Sequence, residues 1–428
     1  MTVIFIVLSL TIVSTVYAII PTARYNGGCA AVQKQLHCYG GTSNRKPSTD
    51  HYALDLSNDF DLENSINAWN MVDPGNFELE PNSLFSIVPI NDSFLIHGGL
   101  GYGSFTQFIK NTTTLYNITS HSWHTVVANN QSFMMPSREE TSTLDPFNRI
   151  WTWGGISDNS SSPNITDTTY HKDLQVLDFN TLSWSFPDKN TKTSSNPTFL
   201  LPRLAHSATL ARSGDSIYYI GGLQLNQDNV LNYAPMNEIL QYNITNHTWT
   251  LHTSPPNTTI PSPRRLHSAT MIPYTDLILI YGGSVTDGAS TVADYIYFLN
   301  TTSFIYTPVH IVNTKDGAGP RFGHSAVLYD EKSLFIIFGA DELGSLRNDF
   351  LVLDIVNWQW ISSFKANGVY PVPSTTGTTG TASNPIALPT PSNPTSGSLS
   401  LVFNQSVIAF SYLKTVYLVI GIALFYLK

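Results

Sequence analysis

The chain has 428 residues, of which only 12% are charged, and its formal net charge is −9. This length suffices for a domain with a large core, and the charge content is about half that of average globular proteins. No cluster of Lys and Arg forms a basic stripe, so the sequence excludes a typical nucleic-acid-binding protein.

The first eighteen residues (1–18) predict a secretory signal peptide. They are predominantly apolar and end in Val16-Tyr17-Ala18, which fits a signal-peptidase cleavage site. The segment lacks the Lys or Arg that usually precedes the apolar stretch, and an uncleaved anchor is the alternative. The mature chain is therefore predicted to begin at Ile19 and to enter the secretory pathway.

The two cysteines, Cys29 and Cys38, lie on two consecutive predicted strands across a short turn. In a secreted chain an even number of cysteines predicts a disulfide, with two buried thiols as the alternative.

A pair of glycines follows a short apolar run at nearly regular intervals of 56 to 67 residues. A period of this length indicates one supersecondary unit that is used repeatedly. In the sixth pair, alanine is interpreted as the replacement of the second glycine. The pairs are Gly40-Gly41, Gly98-Gly99, Gly154-Gly155, Gly221-Gly222, Gly282-Gly283 and Gly339-Ala340.

Each repeat contains four predicted strands. A strand that follows an Arg and a His is joined by a tight turn to an apolar strand ending in the glycines, and a longer loop leads to an alternating strand. The apolar strand must be covered on both faces, which six radially stacked sheets provide. An aromatic residue marks the fourth strand: Trp69, Trp123, Trp184, Trp249, Phe304 and Trp358 or Trp360.

These residues resemble the kelch repeat, a blade motif of β-propellers, from about Arg24 to Phe364. The resemblance is strongest in the third to sixth repeats; Cys29 in the first and Thr141 in the third stand where other repeats have His, and the second lacks both Arg and His. It implies an all-β, six-bladed kelch β-propeller over residues 19–366. Either Ile19–Thr22 completes the last blade or each blade is contiguous.

One His recurs in each of the last three repeats near the predicted axis, where the three side chains could converge on a metal ion. Their recurrence with Arg and Ser favours a framework role instead, in which the His side chains satisfy backbone groups between blades and the Arg side chains pair with acids such as Asp178 and Asp354. No metal and no other cofactor are therefore expected. The recurring residues are His206, His267, His324, Arg203, Arg265 and Arg321.

The connections between strands predict two unequal faces. Turns between the first and second and between the third and fourth strands, such as Asn91-Asp92, are short in every repeat, whereas the other connections are long. Variable loops on a rigid scaffold concentrate binding residues. The predicted ligand surface is therefore the long-loop face, with the glycines as hinges at its border: Gly99, Gly155, Gly222 and Gly283.

Asn-x-Ser/Thr sequons agree with secretion and predict N-glycosylation. One, Asn404, lies after the last repeat and before the hydrophobic tail. The others are Asn91, Asn111, Asn117, Asn130, Asn159, Asn164, Asn243, Asn246, Asn257 and Asn300.

The composition changes after the last repeat. Residues 367–406 are rich in Pro, Thr and Ser and predict a linker, and residues 407–428 form a hydrophobic tail long enough to span a bilayer. The tail is either a single transmembrane anchor or the signal for a glycosylphosphatidylinositol anchor. Both alternatives place the propeller at the cell surface, attached to the membrane.

Kelch propellers include copper radical oxidases of the galactose oxidase kind, whose site needs a Tyr cross-linked to a Cys. Here both cysteines belong to the predicted disulfide, and no nucleophile-elbow, phosphate-loop or dinucleotide motif is present. We therefore expect no catalytic residues and a binding module for a protein or glycan ligand. The alternatives are a galactose oxidase-like carbohydrate oxidase and a structural cell-wall or surface glycoprotein.

Overall fold

The structure is a computed structural model in which residues 19–101, 108–130, 134–187, 198–285, 290–312 and 317–372 are described. Their regular structure is almost entirely β-strand, together with the short 3-10 helix Leu62–Asn67. The predicted signal peptide, the hydrophobic tail and most of the predicted linker lie outside the described residues.

Twenty-four strands form six antiparallel four-stranded sheets, which we number in chain order. The first three sheets comprise Gly28–Val32, Gln35–Tyr39, His51–Asp55 and Asn70–Met71 (sheet 1); Ser86–Ile90, Ser93–His97, Thr113–Asn117 and Ser122–Thr125 (sheet 2); and Thr141–Leu144, Arg149–Trp153, Gln175–Asp178 and Ser183–Ser185 (sheet 3).

The other three sheets repeat the same order of strands. They comprise Ser207–Leu210, Ser216–Ile220, Glu238–Asn243 and Thr248–Thr253 (sheet 4); Ser268–Met271, Leu277–Tyr281, Ile296–Asn300 and Tyr306–Pro308 (sheet 5); and Ser325–Tyr329, Ser333–Ile337, Phe350–Asp354 and Gln359–Ile361 (sheet 6).

Every sheet is therefore built from contiguous strands, which settles the two alternatives for ring closure. Ile19 does not join the last sheet; its backbone N–H donates to the carbonyl of Trp69 at the edge of sheet 1. The C-terminal segment of the described chain returns to sheet 1, where Ser363–Phe364 pairs with Phe60–Asp61.

Further short strands lie in the connections between second and third strands and, for Arg203–Leu204, in the connection from sheet 3 to sheet 4. Because both kinds of connection lie on the same side of the sheets, one face is elaborated, as predicted. The extra strands are Thr42–Ser43, Lys46–Pro47, Ile156–Ser157, Thr169–Tyr170, Arg203–Leu204, Leu223–Leu225, Leu231–Tyr233, Ser284–Val285 and Ser290–Thr291.

The opposite, short-turn face has one exception to the predicted short turns. The connection between the third and fourth strands of sheet 1 runs from Leu56 to Ala68 and contains Phe60–Asp61 and the 3-10 helix. The prediction of uniformly short turns is thus wrong for sheet 1, because this connection binds the C-terminal segment of the propeller.

Apolar side chains pack between neighbouring sheets. The second strands of sheets 2, 4 and 6 are buried along their whole length, as their apolar sequences predict. Six hydrophobic clusters result, one between each pair of consecutive sheets and one between sheet 6 and sheet 1. In the last of these, Leu36 and Trp69 pack with Phe335 and Val352.

The fourth strand of most sheets buries the predicted aromatic side chain. Trp69, Trp123, Trp184 and Trp360 are buried. In sheet 5 Tyr306 holds this position, where it pairs with the third strand as Trp360 does in sheet 6. The assignment to Phe304 is therefore wrong, and of the two alternatives for sheet 6 the structure selects Trp360; Phe304 and Trp358 both have positive φ angles.

Six backbone hydrogen bonds form a closed circle around the axis. Just before each first strand, one residue with φ between 52° and 61° donates its N–H to the carbonyl of the equivalent residue in the preceding sheet, over 2.7–3.1 Å. The N–H of Asn26 in the first repeat donates to the carbonyl of Gly323 in the last, so the circle joins the first repeat to the last. We call these six residues the axial belt: Asn26, Leu84, Glu139, Ala205, Leu266 and Gly323.

A second circle explains the glycine pairs. The second glycine of each pair donates its N–H, over 2.7–2.9 Å, to a carbonyl in the next repeat. The first glycine lies against that same carbonyl in the first five repeats, so it has no room for a Cβ. The acceptors are the carbonyls of Asn82, Ser137, Arg203, Arg264, Arg321 and Arg24.

This alignment corrects the interpretation of the sixth pair. Gly339 donates to Arg24, so it corresponds to the second glycine, and Phe338, with φ 57°, replaces the first. The sixth repeat is followed around the ring by the first. The first repeat has Gly27 directly after its belt residue, where the other repeats carry a large side chain, and this leaves room for Phe338. The glycines are thus joints between sheets rather than hinges of the long-loop face.

Substitution of a joint glycine should destabilise the fold. In Gly222→Ala the new Cβ would lie 2.6 Å from the carbonyl oxygen of Leu204, on a residue with φ 84°. We expect a loss of about 3 kcal/mol in the free energy of unfolding, measured by chemical denaturation. Gly75→Ala, with φ 63° but nothing within 4 Å, should cost about 1 kcal/mol. Equal losses would contradict the role as a joint.

Candidate functional site

A cavity of about 150 Å³ lies on the axis beneath the belt. All six sheets contribute to its lining, and the belt residues form its rim. A wider space of about 410 Å³ continues below it along the first strands. The axial channel therefore opens on the long-loop face, at an orifice framed by backbone.

The residue after each belt residue lies below the rim and is His in sheets 4, 5 and 6. Each imidazole Nε2 is hydrogen-bonded to a hydroxyl of the preceding sheet, over 2.8–3.1 Å. The predicted framework role of these residues holds, with side-chain hydroxyls as partners and, for His267 and His324, also the backbone of Ile220 and Arg321. The pairs are His206 with Thr141, His267 with Ser207, and His324 with Ser268.

These imidazoles are neutral at physiological pH. Burial, reinforced by nearby Arg side chains, lowers the pKa of His267 and of His324 to about 3 and that of His206 well below its usual value. Across the described part of the chain, no three His, Cys, Asp or Glu side chains lie close enough together to hold a metal ion.

In sheets 1, 2 and 3 the position below the rim is held by Gly27, Phe85 and Glu140. The sequence alignment that placed Cys29 and Thr141 there was wrong. Thr141 corresponds to Ser207, since the hydroxyl of each is hydrogen-bonded to the histidine of the next sheet. Counting back one residue from this hydroxyl would have identified Glu140 from the sequence.

Glu140 is a buried carboxyl group without a counter-charge. Its side chain is 4% exposed, and both carboxyl oxygens are fully buried. Burial raises its pKa to about 8. The group is therefore mostly protonated at neutral pH, and its oxygens are shielded from any ligand in the channel.

Three framework arginines are paired, but with other acids than those predicted. Asp178 and Asp354 instead accept hydrogen bonds from nearby turn residues. Arg265 is not a framework residue, because Arg264 holds the equivalent position. The ion pairs are Arg24 with Asp50 at 2.6 Å, Arg264 with Asp294 at 2.9 Å, and Arg321 with Asp349 at 2.7 Å.

Arg203 is the framework arginine of sheet 4 and departs from this pattern. It is 2% exposed, and its Nε and Nη1 atoms have no partner among the described residues. Met236 occupies the position that Asp294 has in the next repeat. Burial lowers the pKa of Arg203 to about 10. Its guanidinium group is therefore still charged at neutral pH, and this repeat lacks the Asp that forms an ion pair with the equivalent arginine in other repeats.

The residues just before the belt surround the orifice on the long-loop face. The predicted loops pair with them directly after their glycines: Leu100 with Ser83, Ile156 with Arg138, Leu223 with Leu204, and Ser284 with Arg265. The structure thus brings the loops that follow Gly99, Gly155, Gly222 and Gly283 together around one opening. We call this opening, with the belt side chains, the axial mouth.

Charged side chains lie on one side of the axial mouth. Arg138 forms an ion pair of 2.7 Å with Asp158, which fixes the loop of sheet 3. The buried Nε atom of Arg265 has no hydrogen-bond partner among the described residues. Burial raises the pKa of Glu139, against the effect of Arg138 and Arg265. These charged side chains are adjacent to the apolar side chains of Leu204 and Leu266, so the rim of the axial mouth is charged in one part and apolar in another.

Cys29 and Cys38 form the predicted disulfide across the first hairpin of sheet 1, where they are directly opposed. The chain contains only these two cysteines, so neither thiol can form the Tyr–Cys cross-link of a galactose oxidase-like site.

The ten sequons of the described chain lie at turns or strand ends, and none is buried. Six are exposed and four are partly exposed, so glycan attachment is sterically open on the folded surface. The exposed ones are Asn91, Asn130, Asn159, Asn164, Asn246 and Asn257.

Six consecutive antiparallel sheets around an axial channel define a β-propeller, and the recurring glycine pairs make it one of the kelch type. The KLHDC2/KLHL20/DRC7 Kelch-repeats domain matches residues 8–222 and 205–386. The chain belongs to this Kelch-repeat family.

A solved structure supports the same fold. The protein of the structure titled "Structure of YjhT" superposes with a TM-score of 0.56 over 80% of this chain and 97% of its own, at 15% sequence identity. At this identity the likeness concerns the fold alone. No helix in the described part of the chain is long and apolar enough to cross a membrane.

The protonation of Glu140 should make stability depend on pH. Its pKa is about 8 in the fold and 4.5 ordinarily, so between these values the folded chain holds a proton that the unfolded chain has lost. Stability should therefore fall as pH rises from about 5 to about 8, by up to about 1.4 kcal/mol per unit relative to Glu140→Gln. Denaturation of both proteins across this range measures the difference. Parallel curves would contradict it, and the exposed Glu78→Gln controls for loss of a charge.

Proposed function

We propose that the protein is a secreted, membrane-tethered, six-bladed Kelch propeller that binds a protein ligand at the axial mouth. Contacts between the first strands of consecutive sheets, including those of sheets 6 and 1, support six blades in a closed ring. The family supports an interaction module, because Kelch propellers typically bind protein partners.

The observation that carries the proposal is the contrast between the channel and its mouth. Inside the channel, the imidazoles are bonded to neighbouring sheets and Glu140 is shielded from solvent. At the mouth, the side chains of Arg265 and Glu139 are only partly buried. Charged side chains thus lie where a macromolecule can reach them, which favours binding over catalysis.

Several sequence features support an extracellular location. The predicted signal peptide, the disulfide and ten accessible sequons agree with secretion. The hydrophobic residues 407–428 supply the proposed tether, either as a transmembrane anchor or as a glycosylphosphatidylinositol signal. A glycan ligand and a purely structural surface role are the competing outcomes of the test below.

The test uses the full-length chain on the surface of eukaryotic cells, probed with an array of soluble extracellular protein domains and with a glycan array. We expect specific binding to a protein domain, weakened at least about tenfold by Arg265→Ala because Arg side chains dominate many interfaces. Arg212→Ala is the matched control, since Arg212 is an exposed arginine on the short-turn face.

Binding to glycans alone would contradict the protein ligand. Equal losses for Arg265→Ala and Arg212→Ala would place the ligand away from the axial mouth, and absence of specific binding on both arrays would favour a structural role.

A further inference from the structure

The sequons are unevenly distributed around the ring. Residues 91–300 contain nineteen Asn, ten of them in sequons, whereas residues 19–90 and 301–372 together contain twelve Asn and no sequon. Since Asn is common in both parts, its frequency does not explain the difference. The ten sequons are confined to the part of the chain that builds sheets 2 to 5.

The part without sequons forms one continuous sector. Sheets 6 and 1 are neighbours, because their first strands contact each other and their side chains share one hydrophobic cluster. We call these two sheets, with residues 362–372, the bare sector. An N-glycan is bulky and hydrated and cannot be buried in a protein interface, so a sector without sequons retains the capacity to form one.

The chain also leaves the propeller in this sector. Residues 362–372 run along the short-turn face, where the N–H of Ala366 donates to Asp59 of sheet 1 and the side chain of Gln359 donates to the carbonyl of Pro371. Tyr370 is buried and bonded to Ser333, so the packed unit continues at least to Val372. A membrane tether formed by the residues that follow would start from this face.

The chemistry of this face suits contact with an identical face. Both signs of charge occur on this face, where Lys34, Lys332 and Lys365 lie among six exposed acids, so each Lys of one copy can meet an acid of the other: Asp55, Asp59, Asp61, Glu63, Asp330 and Glu331. Val356, Val369 and Val372 are 61%, 66% and 76% exposed. A two-fold interface requires such a self-complementary patch, whereas a patch of one sign would repel its copy.

We infer that the bare sector is the contact between two copies of this chain on the same membrane. The inference rests on the proposed membrane tether and glycosylation. Tethering confines the copies to a surface and raises their effective concentration, so a modest patch suffices for association. The glycan-bearing sheets 2 to 5 and both axial mouths then face away from the contact.

The test inserts a glycan into the contact. Val369→Thr converts Asn367-Gly368-Val369 into a sequon, and both Asn367 and Val369 are exposed. Two full-length chains with different tags ahead of Ile19 are co-expressed on eukaryotic cells, cross-linked with a membrane-impermeant reagent and co-precipitated. We expect the wild type to associate and Val369→Thr to reduce co-precipitation at least about tenfold. Asn246→Gln should leave it unchanged, as it adds no glycan and lies outside the bare sector. Val369→Ala, which shortens one apolar side chain without adding a glycan, should reduce it far less than Val369→Thr does.

A mobility shift that an N-glycosidase reverses reports whether the new sequon is occupied. If the new sequon is not glycosylated, Lys34→Glu tests the same contact by replacing a positive charge of the patch with a negative one. We expect a severalfold loss of co-precipitation. Wild-type copies that do not associate, or that associate equally well in the occupied Val369→Thr variant or in Lys34→Glu, overturn the inference. Cross-linking of a different protein to the bare sector instead also overturns it.

Two controls separate this inference from the proposed function. Ligand binding at the axial mouth should persist in Val369→Thr, which shows an intact fold, so loss of association alone concerns only the contact between copies. Absence of glycans from all native sequons would overturn both the extracellular location and the inference.

Discussion

The axial belt is the constraint on which the rest of the structure depends. Six residues must adopt a left-handed backbone conformation so that each N–H reaches the carbonyl of the preceding sheet, and the circle closes only when the sixth repeat meets the first. This geometry joins each sheet to the next one in the chain, and a second circle of hydrogen bonds places the glycine pairs against carbonyls of the next repeat. Left-handed backbone costs of order 1 kcal/mol or more for a non-glycine residue, and the two circles of hydrogen bonds offset that cost.

Much of this architecture can be predicted from the sequence, because the residues that recur in each repeat are also the residues that pack in the core and between the sheets. The period, the four strands per repeat, the doubly buried second strand and the elaborated face all follow from residues that recur in register. The errors concern single positions. Glu140 was missed because the alignment was anchored on His, and Phe338 was missed because a glycine followed by alanine looks like the usual pair. Only the hydrogen-bond partners of Gly339 and Thr141 show the true register.

The site itself lies in the departures from symmetry, which a repeat pattern cannot predict. Equivalent positions carry His in three sheets and Glu140 in another, and Arg203 lacks the acid that pairs with its counterparts. At the axial mouth, Arg138, Glu139 and Arg265 give one side a charge that the other side does not have. The absence of sequons from sheets 6 and 1 is a departure of the same kind, at the outer surface of the ring. Shared residues thus build the scaffold, and unshared ones distinguish this propeller from others.

Amide hydrogen exchange of the six belt residues tests the closed circle most directly. If the belt joins all six sheets, the amides of Asn26, Leu84, Glu139, Ala205, Leu266 and Gly323 should exchange only through global unfolding and share nearly the same protection. The decisive pair is Asn26 and Gly323, whose 2.7 Å hydrogen bond joins the first repeat to the last. Rapid exchange of Asn26 while the other five amides remain protected would show that the ring is open there and would contradict the account.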